Sequence, residues 1–406
     1  MTERLYYTEP ALLDFEAIVD AIEPADDGAI VRLDRTAFYP TSGGQPHDTG
    51  RLGNRRVTDV WVADDGEVVH RIDGPLEQGE LVEGHVDADR RRDHMQQHSG
   101  QHILSAAFDR VTGAATLSFH LGAVTSTIDL DRPVDADRIA AAEAAANQVV
   151  WDDRPVTIRF ASSDEARSLP LRKAPTREGR LRLIDVEAFD LSACGGTHVS
   201  RSGEVGIIAV RGWESFKGGT RVEFVCGGRA LGAFRSLRDS VAGAVRVLSV
   251  LPDQLADGIA RLQEELAERR KEVKGLQQDL ARLHGEALAA AAPTLHGCLV
   301  VVALGDDADP LVLKATARAA AAGPRRVAVL IGNATDVRVA VARGSETPID
   351  AREIVGALLH AFGGRGGGSA DLAQGGGLRG ETEAIRQAAQ KAVAAGLERA
   401  GASPPR

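Results

Sequence analysis

Residues 193–200 read ACGGTHVS and set the thiol of Cys194 and the imidazole of His198 four positions apart across two glycines. The chain has three cysteines, Cys194, Cys226 and Cys298, and so odd and scattered a set argues against a disulfide framework and leaves metal binding or burial as their use. A second pair, His98 and His102, lies in HSGQH. On a helix, positions i and i+4 leave the same face about one turn apart, the spacing at which two ring nitrogens can meet one ion. Three imidazole nitrogens and one sulfur suit tetrahedral zinc. His94, one turn before His98 on the same stripe, is a competing ligand that ranks below these four. No Glu follows His98, so the pair lacks the base of a zinc protease. Four protein ligands close a coordination shell, as structural sites do, and a catalytic zinc requires one of them to be loosely bound, absent or displaced by substrate.

The helix that must carry His98 and His102 is predicted over RRRDHMQQHSGQHILSAAFDRV (90–111), where Ile103, Leu104, Ala107, Phe108 and Val111 fall at helical spacing. Before it, residues 1–90 alternate short β-type runs with turn signals such as TSGGQP, the rhythm of a small antiparallel barrel or sandwich. After it, a helix over 135–150 and β-type runs at PVTIRF, LRLIDV, VGIIAVRGW and TRVEFVCG make 91–235 an α+β domain. From Leu255, alternate steps of four and three reach Ile259, Leu262, Leu266, Arg269, Val273, Leu276, Leu280 and Leu283, an apolar seam interrupted only at Arg269. Residues 236–290 are therefore expected to form a coiled-coil or long amphipathic segment. Residues 291–406 return to α/β alternation, and their glycine-rich run GGRGGGSADLAQGGG (363–377) is either a flexible linker or a loop whose backbone amides receive an anion. The fold class is α+β.

At 406 residues the chain exceeds one compact core, and 43% hydrophobic with 26% charged residues is a globular composition. The N-terminus has no apolar h-region and no window approaches the ~20 apolar residues of a membrane span, so a cytoplasmic location is expected. A net charge of −10 argues against a nucleic-acid partner, yet its distribution is uneven. Residues 1–90 sum to −12, whereas 167–182 hold six basic residues against one acidic.

HSGQHILSAAF followed by CGGTHV resembles the paired signature of the alanyl-tRNA synthetase editing domain and of its freestanding relatives, the AlaX proteins. FYPTSGGQPHDTG (38–50) is similar to the glycine-rich motif of the N-terminal, translation-factor-like barrel in the same proteins, and SFHLG (118–122) to the strand after the first helix in AlaX. The leucine seam and the glycine-rich run resemble the C-terminal, DHH-associated region of alanyl-tRNA synthetase. No aminoacylation domain is expected before residue 1, and nothing resembles the ATP-binding motifs of a class II synthetase. The resemblance is to a long-form AlaX.

What this resemblance implies is a zinc-dependent aminoacyl-tRNA hydrolase, holding one Zn2+ per chain through His98, His102, Cys194 and His198. It implies a substrate, tRNA(Ala) mischarged with serine, with glycine as an open alternative, and a hydroxyl-selecting role for Thr41. The zinc would either position the aminoacyl group or lower the pKa of a bound water toward ~7. Gln45 and His120 are candidates to orient water or substrate. Gly43 and Gly44 would line the substrate site. Arg172, Lys173, Arg177, Lys217 and Arg221 would contact acceptor-stem phosphates. The leucine seam or the C-terminal domain could join two copies as a homodimer. An alternative keeps the fold and drops the catalysis, as a zinc-stapled protein that binds tRNA or a synthetase. A C-terminal phosphoesterase is a poor reading, because 291–406 has only His296 and His360 and no Asp-His-His cluster.

Overall fold

The computed structural model describes residues 1–173, 179–305, 309–332 and 337–401. The described chain forms two compact units, Met1–Ala244 and Val245–Arg406.

The first unit opens with β1 (Glu3–Arg4), β2 (Asp14–Ala25), β3 (Gly28–Leu33), β4 (Arg35–Thr36), β5 (Gly50–Leu52), β6 (Arg55–Val62), β7 (Val68–Ile72) and β8 (Leu81–Val86). Six of these close a barrel in the order β2-β3-β7-β6-β5-β8. Alternate residues of β2, β3 and β8 are buried, as a half-buried strand requires, and Phe15, Val31, Leu33, Val60 and Val82 fill the interior. Helix α1 (Ala88–Thr112) follows and ends on Gly113, whose φ of 68° supplies the left-handed C-cap. Arg91 fastens α1 to the barrel. Its Nη2 lies 2.6 Å from Asp48 Oδ2 and its Nη1 donates to the Pro10 carbonyl at 2.6 Å, all in a buried setting where losing either charged partner would strand the other.

Next come β9 (Thr116–Leu121), β10 (Ser126–Leu130), α2 (Ala136–Trp151), β11 (Val156–Ser162), α3 (Ser163–Ser168), β12 (Arg180–Val186), β13 (Asp190–Ala193), β14 (Ile208–Phe216), β15 (Gly219–Cys226) and α4 (Gly227–Leu248). They make a four-stranded sheet, β14-β15-β10-β9, and a three-stranded one, β11-β12-β13, both antiparallel. Ile103, Leu104, Ala107 and Phe108 of α1 pack with Ile139, Ala142 and Ala146 of α2 and with Ile128, Val222 and Phe224 of the larger sheet. Burying each large aliphatic or aromatic side chain stabilises the unit by about 1.5–3 kcal/mol, and that core fixes the rotation of α1 and hence where its histidines point.

The second unit contains α5 (Leu255–Ala290), β16 (Thr294–Leu295), β17 (Cys298–Gly305), α6 (Pro310–Ala320), β18 (Arg326–Gly332), β19 (Val337–Arg343), α7 (Ala351–Phe362), β20 (Arg365–Gly368), β21 (Leu372–Leu378) and α8 (Thr382–Gly401). Its six-stranded sheet runs β16-β17-β18-β19-β21-β20, with β17 and β18 parallel and the other pairs antiparallel. One face packs on α6 and the other on α7 and α8. The glycine-rich run is thus neither linker nor open loop. It forms a strand pair, in which a Cβ on Gly366 would meet the Gln374 carbonyl oxygen at 2.4 Å. The long helix predicted from the seam is present as α5, but within this unit Leu262, Leu266, Leu276, Leu280 and Leu283 are exposed. The face α5 buries instead is Ala281, Gly285 and Ala289, packed on α6.

Candidate metal centre

Helix α1 and the turn after β13 bring His98, His102, Cys194 and His198 together, with their ligand atoms all within 4.8 Å of one another. Cys194 Sγ is 3.3 Å from Nε2 of both His98 and His198. A tetrahedral ion bound to sulfur at about 2.3 Å and nitrogen at about 2.0 Å would set such donors roughly 3.5 Å apart. The three imidazoles are buried, and Cys194 is half-buried.

Each imidazole is held by its other nitrogen. His98 Nδ1 meets Gln45 Oε1 at 2.7 Å, His102 Nδ1 meets Asp190 Oδ2 at 3.2 Å and His198 Nδ1 meets Ser99 Oγ at 3.1 Å. The orientation of Gln45 is itself fixed, since Oε1 accepts from the Thr197 amide at 3.1 Å and Nε2 donates to Thr197 Oγ1 at 2.8 Å. Asp190 is fixed by Arg172, whose Nε donates to Oδ1 at 2.7 Å, and by Ser192. Hydrogen bonds of this kind select the tautomer that leaves Nε2 free to bind metal. Although burial pushes the Cys194 thiol up, the neighbouring His98 and His198 hold it well below its ordinary value, which favours the thiolate that a metal requires. The turn can pass so close to α1 only through glycine, because a Cβ on Gly196 would lie 2.1 Å from His98 Cε1. The donor set and its supports fit one tetrahedral soft-to-borderline ion.

The remaining predicted residues scatter. Gln45 joins the site through His98, Gly43 lines the cavity beside Cys194, and Gly44, at φ +82°, presses on Phe119, where a Cβ would come within 2.8 Å. Thr41 turns to His47, with Oγ1 3.1 Å from Nδ1 and 3.2 Å from the His47 amide. His120 is exposed on β9, whereas its neighbour Phe119 reaches His98 with ring centroids 5.6 Å apart, as alternation along a strand requires. His94 stands outside the cluster, 3.9 Å from Asp48 Oδ1, and burial pushes it down to about 4.

Of the basic residues, Arg172 is committed to Asp190 and Arg221 to Asp129 at 2.7 Å with its guanidinium over Phe216. Lys217 sits at the β14–β15 turn with Nζ 5.0 Å from the Phe216 ring centroid, Lys173 is exposed, and Arg177 lies outside the described residues. The supports the sequence does not flag are Asp190, Ser99 and Phe119. The only signal for Asp190 is a carboxylate four residues before Cys194, which is too ordinary to single out.

Family models match three stretches. Residues 2–90 match class II (A) tRNA synthetases, 181–223 the threonyl and alanyl tRNA synthetase second additional domain, and 296–395 the DHHA1 domain. The chain is 32% identical over 390 residues to an alanine–tRNA ligase of Pyrococcus abyssi, covering 92% of this chain and 42% of the ligase. A ligase of Halorubrum lacusprofundi is 34% identical, again with 42% of its length covered, so the chain spans less than half of these enzymes. It is 30% identical over 391 residues to the alanyl-tRNA editing protein AlaX-L of Pyrococcus horikoshii, and here the match covers 92% of this chain and 94% of the relative. Similar to the ligases over part of their length and to AlaX-L over nearly all of it, the chain belongs to the family of alanyl-tRNA editing proteins.

Proposed function

We propose that the chain is a trans-acting hydrolase that cleaves the ester between a wrongly attached amino acid, chiefly serine with glycine as an open alternative, and the 3′ end of tRNA(Ala). The observation that carries this reading is the His98–His102–Cys194–His198 cluster, pre-oriented by Gln45, Asp190 and Ser99 and bordering a cavity of 310 Å3. Serine adds only a hydroxyl to alanine, and an apolar synthetic pocket rejects such an addition by only about 100-fold, so a second, hydrolytic site has work to do.

The four clustered residues would hold zinc. Bound there, the ion supplies Lewis-acid polarisation of the ester carbonyl or acidifies a water, depending on whether one ligand gives way. Gln45 keeps His98 oriented, and Asp190 does the same for His102. Exposed Lys173 and Lys217 suit contacts to the RNA backbone, which position without reading sequence. The exposed leucine seam of α5 supports pairing of two copies along that helix, which light scattering of the purified chain would read as twice the chain mass.

Deacylation of Ser-, Gly- and Ala-tRNA(Ala), measured side by side with and without a chelator, tests the reading. Loss of Ser release on chelation, with Ala-tRNA spared throughout, is the expected outcome, and the Gly-tRNA arm decides whether glycine is a second substrate. A closed four-ligand shell favours a second reading, a zinc-stapled binding protein. Zinc retained at one per chain with no turnover of any ester would establish that second reading instead.

A further inference from the structure

Resting on the hydrolase reading, we propose that the arginine wall of the cavity beside Cys194 and His98 is the subsite for the phosphate of the tRNA's 3′-terminal nucleotide. Among the described residues, none that lines this cavity carries a carboxylate, although the chain carries 58 acidic residues against 48 basic ones. Three arginines do line it, Arg4, Arg180 and Arg182. Arg180 and Arg182 share one face of β12 because side chains alternate along a strand.

Among the described residues, the hydrogen-bond and ring partners of these arginines are neutral groups. Arg4 donates to the Gly66 carbonyl at 2.7 Å and to the Tyr7 hydroxyl at 3.0 Å. Arg182 donates to the carbonyls of Tyr7, Cys194 and Gly196 at 2.8, 2.8 and 2.9 Å. Its buried Nη2 has no hydrogen-bond partner among the described residues. Arg180 lies over the Phe160 ring, 4.5 Å from the centroid, and no carboxylate pairs with it among the described residues. The Tyr7 ring ties the wall together, with the guanidinium carbons of Arg4 and Arg182 each 5.5 Å from its centroid.

Guanidinium groups gathered in a concave site with no carboxylate in hydrogen-bond contact among the described residues leave donors that an incoming anion satisfies, and arginine's planar fork matches phosphate oxygens bidentately. The substrate brings that anion to the right place. In an aminoacylated 3′ end the 5′-phosphate of the terminal nucleotide is one ribose away from the ester, and the ester belongs at the cluster that borders this same cavity. Arg4 and Arg180 are the phosphate contacts. Arg182 is a positioning residue, since two of its bonds hold the Cys194 and Gly196 carbonyls of the metal-binding turn.

Two minimal esters test this on the full, zinc-loaded chain: 3′-O-seryl-adenosine and its 5′-phosphorylated counterpart. The wild type is expected to favour the phosphorylated ester in kcat/KM by about tenfold or more, the effect of one charge-assisted hydrogen bond. In Arg4→Gln/Arg180→Gln that preference falls to near unity through KM, with kcat and zinc content retained. A wild-type preference near unity, or one that survives the double substitution, overturns the subsite. If neither ester is cleaved, the hydrolase reading fails separately. Calorimetry of 5′-AMP against adenosine on the same protein then decides the subsite: AMP binding that is lost in the double variant supports it, and equal or absent binding by the wild type overturns it.

Discussion

Helix α1 buries fifteen of its 25 residues, among them three histidines and two glutamines, while α5 buries four of its 36, all glycine or alanine. Most of the polar residues inside α1 are matched, though His94 Nδ1 and Gln101 Oε1 find no hydrogen-bond partner among the described residues. Gln97 exchanges hydrogen bonds with the Cys226 backbone at 2.9 and 3.1 Å, Gln101 donates to Ser105 at 2.9 Å, and Ser99 accepts from the Val199 amide at 3.1 Å. A buried polar group without such a partner costs about 1–3 kcal/mol, so a helix this polar stays buried largely because residues from other elements, such as Cys226 and Val199, meet its side chains. Helix α5 makes no such demands. Within its unit it needs only a small-residue face, where a Cβ on Gly285 would come within 2.6 Å of Ala319 Cβ. The two helices differ in what a substitution breaks: in α1 a network, in α5 an outward-facing seam.

Removing a member of the His98–His102–Cys194–His198 cluster should show the difference most strongly. Cys194→Ser replaces a thiolate with a hydroxyl, and His102→Ala deletes a nitrogen. On the proposed hydrolase reading, each is expected to empty the site and to lower Ser-tRNA(Ala) deacylation by about 100-fold or more, since a bound ion would supply several kcal/mol of charge stabilisation. Metal content and single-turnover deacylation check both, and a variant that stays metal-free yet active would detach the cluster from the reaction.

Packing gives the next contrast. Phe108, fully buried in α1, should cost about 3–5 kcal/mol on substitution by Ala, whereas Leu276→Ala on the seam should change the stability of an isolated chain by less than about 0.5 kcal/mol. Urea unfolding at several protein concentrations checks this. A concentration-dependent loss in Leu276→Ala alone would show that the seam is covered by a second copy.

Asp190→Asn should act more mildly than ligand removal. It keeps a partner for His102 but loses the charge that Arg172 and His102 share, and supports of this kind typically change metal affinity by about 10–100-fold. Competition with a zinc chelator reads the change directly. Arg172→Ala should lie in the same direction with a smaller effect.

These contrasts also explain what is legible in the sequence. The two halves of the cluster are local patterns, His98 and His102 one helical turn apart and Cys194 and His198 across two glycines, so residue type and spacing suffice to pick out the four residues that the fold gathers. The barrel's alternation and the length of α5 are legible for the same reason. Asp190, Ser99 and Phe119 are not, because each acquires its role from a contact with a residue remote in the chain, such as the His102–Asp190 pair 88 positions apart. The seam of α5 is the converse case, a strong local pattern that its own unit leaves exposed. The glycine-rich run misleads toward a loop because strand pairing needs only backbone groups, and a sequence made of glycine carries no alternation to announce it.

Thr41 is the place where the smallest effect is expected. Its position just before Ser42-Gly43-Gly44-Gln45 invites a role in selecting serine by its hydroxyl, but that hydroxyl is 3.1 Å from His47 Nδ1 and 3.2 Å from the His47 amide, and Thr41 does not line the cavity beside Cys194. A group already bonded to its own turn has little left to offer a substrate, so Thr41→Val should cost turn stability of about 0.5–1.5 kcal/mol and leave the ratio of Ser- to Ala-tRNA(Ala) deacylation within about twofold. A collapse of that ratio with metal content intact would mean that substrate draws Thr41 away from His47. The discriminating contact would then be created on binding instead of standing ready in the free protein.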